Sequence, residues 1–378
     1  MTNSKKGLLL GISLSVLAFS GTSVFAQSGS STVDAVNSAV QSAVQSAIQS
    51  ARDQVYTARD ARDRVNQPPV QRSRFSAEPT IEDSFAALGY APRDSKSPMY
   101  AKAAPVYAPS APPITFSIWG SGTGTKEDRD AINAGPPVGL VPSSQSKTGV
   151  GLGGADFVKT GLFYMNDAII IGGFGGGSDS RTTTGLPFVT NTQVRTGTGG
   201  GYLAYLLGGF SSDMTLTFNS ANSVTSFPVG FGPPVAVHSE SYSFASNYQY
   251  RFNMDTWWME PTAGYVYTRN RFDNALIAGM PDYSLYRVMG GVRFGSTWAM
   301  SGIKVQPSVY GGVYEDVSRN PGLPVGAPPT DLNKLFGKGT AKLNFIMTNN
   351  FSLYVQGEVY GRTGVRGETG TIGARYTF

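Results

Sequence analysis

The sequence predicts an all-β fold in which about twelve antiparallel strands close into a transmembrane barrel. From Ile114 onward, apolar and polar side chains alternate with a period of two, which is the period of a β-strand. Tight turns and long loops also alternate along this region, as in barrels whose two ends face different compartments. The composition agrees, because 47 glycines, 19 tyrosines and 21 phenylalanines suit short turns and aromatic belts.

Residues 1–26 have the pattern of a secretory signal peptide. Lys5 and Lys6 give a positive start, an apolar run follows, and small residues precede a cleavage site between Ala26 and Gln27. The apolar run is shorter than the roughly twenty residues that a membrane-spanning helix needs. We therefore expect this segment to direct the chain through the inner membrane and to be removed.

Residues 27–67 form a segment whose apolar residues recur at steps of three and four. This spacing predicts a helix from Ser31 to about Asn66 with one apolar stripe, made of Val33, Val36, Val40, Val44, Ile48, Ala51 and Val55. The later turns carry arginines and aspartates of mixed sign between Arg52 and Arg64, which is typical of a solvated face. The stripe alternatively indicates a coiled coil or a partner helix. Self-association through this helix is therefore one possible interaction.

Residues 68–113 are predicted to be a proline-rich linker. Pro68 and Pro69 end the helix, because proline has no backbone N–H to donate, and further prolines recur up to Pro113. Residues 80–89 interrupt the linker with a capping threonine, acids in the first turn and a glycine stop, which predicts a short helix. This short helix could dock on the barrel mouth, plug the lumen or form transiently in a disordered tether.

Residues 114–378 are the predicted barrel. The strands are expected to start near residues 114, 147, 166, 193, 210, 239, 256, 283, 300, 333, 350 and 368. We expect their apolar faces to meet lipid and their polar faces to line the lumen, since a spanning strand must pair all its backbone groups. The first and last strands should pair, because an open edge invites aggregation. Long loops, including 123–146 and 220–238, are expected outside the cell, and the tight turns in the periplasm.

The last strand ends with apolar and aromatic residues on one face, namely Ile372, Ala374, Tyr376 and Phe378. This ending resembles the C-terminal strand of bacterial outer-membrane barrels, which implies a signal read by the barrel-assembly machinery. Aromatic residues along the strands are candidates for girdles at the two membrane interfaces. These candidates are Trp119, Trp257, Tyr265, Phe294, Trp298, Tyr376 and Phe378.

Eight charged residues fall on the predicted polar faces of the strands. They are Arg251, Glu260, Arg287, Arg293, Lys304, Lys342, Glu358 and Arg375. A charge at membrane depth is costly unless it faces water or a partner. We therefore predict that these side chains form a lumen network with one another or with an inserted segment. A mild anion preference in an open pore is the alternative.

The region from about Ile114 to Phe378 resembles the barrel, or translocator, domain of autotransporters. The matching stretches are residues 116–122, 148–156, 259–265 and 373–378. The resemblance implies a barrel in the outer membrane that anchors an N-terminal passenger carried across that membrane, with a helix left threaded through the pore. Two features depart from the family. The region before the barrel is only about 85 residues long, and about 45 proline-spaced residues separate the helix from the first strand.

No catalytic site, metal site or cofactor is predicted, and we expect no enzymatic activity. The chain has no cysteine, and its single histidine, His238, falls in the predicted loop 220–238, where a solvated side chain is expected. The formal net charge of +5 comes without a basic cluster, so no nucleic acid is expected as a partner. Outer-membrane lipid is the expected surrounding. Three functions remain: a surface-anchoring translocator, a porin-like diffusion channel, or a structural or adhesive protein.

Overall fold

In a computed structural model of the chain, twelve long strands form an antiparallel sheet that closes on itself. The structure describes residues 35–60, 114–133, 140–164, 167–185, 189–228, 233–254, 256–273, 283–300, 303–320, 335–348 and 350–378. The strands are β1 (Ile114–Arg129), β2 (Ser144–Thr160), β3 (Asp167–Thr184), β4 (Thr190–Leu207), β5 (Phe210–Ser226), β6 (Val235–Tyr250), β7 (Trp257–Phe272), β8 (Tyr283–Ser296), β9 (Ile303–Asn320), β10 (Phe336–Ile346), β11 (Phe351–Arg362) and β12 (Val365–Thr377). Residues 35–60 are helical and are called α1.

Each strand pairs with its sequence neighbours, and β1 also pairs with β12, so the ring is complete. Ser117 lies opposite Thr377 at one end of this seam, and Arg129 lies opposite Val365 at the other. The prediction of twelve strands with a paired first and last strand is confirmed. The strand starts agree with the predicted ones within four residues. Among the described residues, no helix is both long enough and apolar enough to cross a membrane.

The two ends of the barrel differ. Five tight connections and the start of β1 lie at one end, here called the turn end, together with Phe378, whose N–H donates to the backbone oxygen of Phe116 at 2.8 Å. The other connections lie at the opposite end, here called the loop end. The strands extend further than predicted into the segments expected to be loops at 123–146 and 220–238: β1 ends at Arg129, β2 begins at Ser144, β5 ends at Ser226 and β6 begins at Val235. Threonine, which is frequent in these segments, favours the extended backbone and continues the ladders.

The alternation of the two faces is confirmed along the strands. On β5, the side chains of Met214, Leu216 and Phe218 are 42%, 42% and 56% exposed on the outer surface, whereas Thr215 and Thr217 face inward and are buried. The C-terminal residues behave in the same way: Ile372, Tyr376 and Phe378 are exposed on the outer surface. The apolar side of each strand therefore faces the surroundings of the barrel, and the polar side faces its lumen.

Trp119 corrects the predicted aromatic girdle. Its side chain points into the lumen, is buried, and donates a hydrogen bond from Nε1 to the Tyr202 hydroxyl at 3.1 Å. The ring of Tyr202 covers Gly172, where a Cβ would collide with it, so this glycine makes room for an inward aromatic. The remaining girdle candidates lie on outward faces. Of these, Trp257, Phe294, Trp298, Tyr376 and Phe378 are exposed near the turn end.

The surroundings of His238 also differ from the prediction. It lies within β6 instead of in a loop, because the ladder between β5 and β6 continues past the predicted loop boundary. The side chain is 36% exposed and its Nδ1 lies 2.9 Å from Oδ1 of Asn222 on β5.

Candidate functional site

Helix α1 lies inside the barrel. Its alanines Ala39, Ala43 and Ala47 have no exposed surface, and Val36, Val40, Val44 and Ile48 pack with Val194, Ala221, Ala245 and Val266 of the wall. The turns toward the C-terminal end of α1 carry Ala51, Val55 and Ala58. They pack in a cluster that includes Trp119, Ile170 and Tyr202. The predicted apolar stripe is therefore present from Val36 to Val55, and it packs against the inner wall of the barrel. The small side chains let a helix and its polar wall fit within a single lumen.

An ion-pair network surrounds the C-terminal end of α1. Glu260, on β7, is fully buried and pairs with Arg59 of the helix. Glu260 also accepts a hydrogen bond from Nε of Arg251 at 3.2 Å, and its Oε1 lies 4.0 Å from Arg293. Arg251 in turn donates from its NH1 to Asp60 of the helix at 2.7 Å. One wall carboxylate and one helix carboxylate thus face three arginines in a largely buried site, which leaves one positive charge in excess.

A second group of polar contacts holds α1 one to two turns before this network, at Asp53 and Tyr56. Lys342 of β10 pairs with Asp53 at 2.6 Å, and both side chains are buried. The Tyr56 hydroxyl donates to Gln249 of β6 at 2.7 Å. The guanidinium of Arg293 lies 3.9 Å from the centre of the Tyr56 ring. Each contact pairs a helix group with a different strand, so the helix is fixed in rotation as well as in depth.

Arg375, near the end of β12, connects the barrel seam to the helix. Its guanidinium forms a bidentate ion pair with Asp156 of β2, at 2.6 and 2.7 Å. The same NH1 donates to Oε1 of Gln54 in α1 at 3.1 Å, and NH2 donates to Ser117 of β1 at 2.9 Å. This one side chain therefore links β12, β1, β2 and the helix, and bidentate geometry makes the central pair strong.

The direction of α1 through the lumen follows from its first and last contacts. Asn37 accepts from Asn270 near the loop end of β7, and Ser38 donates to Glu127 near the loop end of β1. Arg59 and Asp60 lie at the turn end, where they meet Glu260 and Arg251. From residue 37 to residue 59 a helix rises about 33 Å, which matches the thickness of a bilayer core. The chain therefore enters the helix at the loop end and leaves it at the turn end.

Seven of the eight predicted lumen charges take part in ion pairs in the structure. Four of these meet or surround the helix as described, and Arg375 joins the helix to the seam. Arg287 pairs with Asp316 at 2.6 Å and Glu358 with Lys338 at 2.8 Å, both within the wall. Lys304, near the turn end of β9, has no ion pair among the described residues.

Up to Asp60, where the described part of the helix ends, the charged run is not a solvated face, contrary to the sequence-based interpretation. Asp53 and Arg59 are buried at 0% and 1% exposure, because the wall supplies their counter-charges. The eight predicted lumen charges contained a signal for this outcome. They are six cations and only two acids, so further acids had to come from other parts of the chain. Asp156 and Asp213 were missed, since single aspartates among glycine and serine carry no distinctive pattern. Asp213 lies 3.9 Å from Arg52 of the helix.

A cavity remains beside the helix in the loop-end half of the lumen. Its volume is about 210 Å³, and charged and aromatic side chains of the wall line it, among them Glu127, Arg287, Tyr314 and Lys338. A cavity needs only about 10–15 Å³ of this kind to admit a water molecule, so the space has room for solvent. Helix α1 and this cavity therefore share the lumen.

Several predictions concern residues outside the described ranges. These are the signal peptide with its Ala26–Gln27 cleavage site, the ends of the long helix beyond residues 35 and 60, the linker 68–113 and the short helix at 80–89. They stay predictions. The assembly signal formed by Ile372, Ala374, Tyr376 and Phe378 also stays a prediction, although the structure places these residues on the outer surface or close to it.

Comparison with known proteins agrees with the geometry. The family model of the autotransporter beta-domain matches residues 118–358. The beta domain of the Bordetella autotransporter BrkA is 17% identical, covers 69% of this chain and 98% of that chain, and superposes with a TM-score of 0.55. The transport unit of AIDA-I from Escherichia coli is 12% identical, with 69% and 90% covered and a TM-score of 0.56.

The translocator domain of NalP from Neisseria meningitidis is 11% identical, with 70% of this chain and 88% of that chain covered and a TM-score of 0.53. At these identities the three structures support the fold alone, and a search of curated proteins finds no match. The family match spans well over half of the chain. The chain belongs to the autotransporter beta-domain family and is an outer-membrane barrel of the autotransporter type.

Proposed function

We propose that the barrel is a translocator that holds the part of the chain preceding α1 at the cell surface. The observation that carries this proposal is the direction of the helix. In outer-membrane barrels the short turns face the periplasm and the longer loops face outward. The N-terminal end of α1 lies at the loop end, so we expect the part of the chain before Ala35 to be exported through the outer mouth.

The same direction accounts for the long separation between helix and barrel. Asp60 contacts Arg251 at the turn end, and Ile114 starts β1 at that end as well. Segment 61–113 therefore begins and ends on the periplasmic side. In the family that the sequence resembles, the helix leads straight into the first strand. Here a periplasmic segment would connect the two, and the helix would still cross the membrane in the same direction.

The contacts of α1 support a helix that stays in the lumen permanently instead of entering it transiently. Buried charges are tolerated only when they are paired, and both Asp53 and Arg59 find partners on the wall. Removing the helix would leave Lys342 and part of the arginine cluster without these carboxylates. A helix that completes the electrostatics of the lumen is expected to stay there after export and to anchor what lies outside.

Protease accessibility on intact cells tests the proposal. One epitope is inserted after Gln27 and a second, as a matched control, after Ala91 in segment 61–113. We expect external protease to remove the first epitope and to reach the second only after the outer membrane is permeabilised. Heat-modifiable gel migration checks that each barrel is folded. Protection of the first epitope in a folded barrel would refute export of the N-terminal part.

The two other candidate functions make different predictions. A diffusion channel would conduct ions in planar bilayers with α1 in place, whereas we expect low conductance because α1 packs against the wall inside the lumen. A structural or adhesive protein would bind a surface or partner without conducting.

The absence of enzymatic activity, recognition by the barrel-assembly machinery and self-association through the helix stay predictions. In this structure the apolar stripe already faces the wall, so self-association would require another face of α1 or its release.

A further inference from the structure

Three metal-ligating side chains converge on the outer surface of the barrel near its loop end. His238 and Glu240 lie on β6, and Asp273 directly follows β7. Nε2 of His238 lies 4.0 Å from Oε1 of Glu240 and 3.9 Å from Oδ2 of Asp273. One ligand atom from each residue lies within 4.8 Å of the others. These residues are far from the lumen network, since they belong to the outward face of the wall.

A neighbouring strand orients the imidazole. Nδ1 of His238 lies 2.9 Å from Oδ1 of Asn222 on β5, so the proton resides on Nδ1 and is donated to this amide oxygen. In the neutral imidazole, Nε2 presents a lone pair toward the two carboxylates. The backbone N–H of Asp273 donates to the backbone oxygen of His238 at 3.1 Å, which fixes the two main chains relative to each other. Such a hydrogen bond on the distal nitrogen is the usual support of a metal-binding histidine.

When the imidazole is neutral, the arrangement brings three electron-rich atoms together, which favours either a bound cation or a proton on Nε2. Arg271 lies opposite Glu240 in the ladder, but the two acids outnumber it. We propose that His238, Glu240 and Asp273 bind a zinc ion taken from the external medium, with water completing the coordination.

The ligand set and the distances suit this ion. One imidazole and two carboxylates are ordinary zinc ligands, and bonds of about 2.0–2.2 Å place tetrahedral ligand atoms about 3.4 Å apart. The present separations of 3.9 and 4.0 Å are therefore too long by about half an ångström. Glu240 and Asp273 are 67% and 63% exposed, so small side-chain rotations close the gap. A hard ion such as magnesium prefers an all-oxygen shell and is disfavoured by the imidazole.

Such a site would join β6, which carries His238 and Glu240, to Asp273, the residue that directly follows β7. Asn222 of β5 would hold the imidazole without binding the ion. The site is independent of the helix and of export, so its test does not depend on the proposed function.

Isothermal titration of the refolded barrel with zinc chloride tests the site. The protein is prepared without a histidine tag. Because the chain has one histidine and no cysteine, any imidazole-dependent binding then reports on His238 alone. We expect one zinc ion per chain. H238A should lose this binding, and E240Q and D273N should each weaken it at least tenfold. N222A should weaken it about tenfold through the lost support of the imidazole.

The matched control is D179N, which removes an exposed carboxylate on the outer face of β3. It should bind zinc like the wild type, and heat-modifiable migration verifies that every variant is a closed barrel. No zinc uptake by the wild type, or equal affinity in folded H238A, would overturn the proposal. The cluster would then be a surface ion pair in which a proton on Nε2 takes the place of the metal.

Discussion

Replacing Glu260 by glutamine should loosen the helix more than any other single change in the lumen. Glu260 is fully buried, and its carboxylate faces Arg59, Arg251 and Arg293. Only Arg251 has a second carboxylate partner, Asp60, among these contacts. Breaking a buried ion pair by removing one partner costs about 3–5 kcal/mol, since the remaining charge stays desolvated. At 1.36 kcal/mol for each factor of ten, this equals roughly a 10²- to 10⁴-fold shift toward helix release.

Hydrogen exchange measured by mass spectrometry on the detergent-folded barrel reads this shift directly. Amides of residues 35–60 should exchange faster in Glu260→Gln by a factor in that range, while strand amides keep their protection. Asp316→Asn is the matched control, because it breaks the partly exposed wall pair with Arg287 and should leave helix exchange unchanged. Arg59→Met should have a smaller effect than Glu260→Gln, since Glu260 keeps two arginines. Unchanged helix exchange in folded Glu260→Gln would refute the account of the network.

Three further changes test the packing and the seam. Arg375→Met leaves the Asp156 carboxylate buried without its bidentate partner, and should lower the free energy of unfolding by about 3–5 kcal/mol, seen as a lower temperature of heat-modifiable migration. Gly172→Ala drives a Cβ into the Tyr202 ring and should cost about 1–3 kcal/mol in denaturant unfolding, whereas Gly197→Ala, which meets open space, should be nearly neutral. Val44→Asp places an unpaired charge on the fully buried stripe, and should raise single-channel conductance in planar bilayers as the helix leaves; a conductance equal to that of the wild type would argue against the plug.

The barrel could be predicted because its signal is local. Side chains of a strand alternate in direction whatever the strand later pairs with, so the apolar and polar faces of β5 or β12 are visible in the sequence. The same rule would have placed Trp119 correctly, since it shares its face with Ser117 and Ser121 and not with Phe116 and Ile118. The prediction used only the position of Trp119 near a strand end and ignored this alternation, so it placed the side chain on the wrong face of the strand. Loop boundaries were less accurate because nothing local marks where a ladder of threonine and serine stops.

By itself, the sequence determined the strand count, the closure of the barrel, the two-faced strands and the apolar stripe of the helix. Only the tertiary structure decided that the helix fills the lumen, that its direction sends the N-terminal end outward, and that its charges are buried. The reason is physical: periodicity depends on residues two to four positions apart, whereas Arg59 and Glu260 are 201 positions apart. Whether such a charge is solvated or paired depends on the enclosure formed when the ring closes. The excess of lysine and arginine on the wall required acids from elsewhere, and only the fold determined that Asp53 and Asp60 supply them.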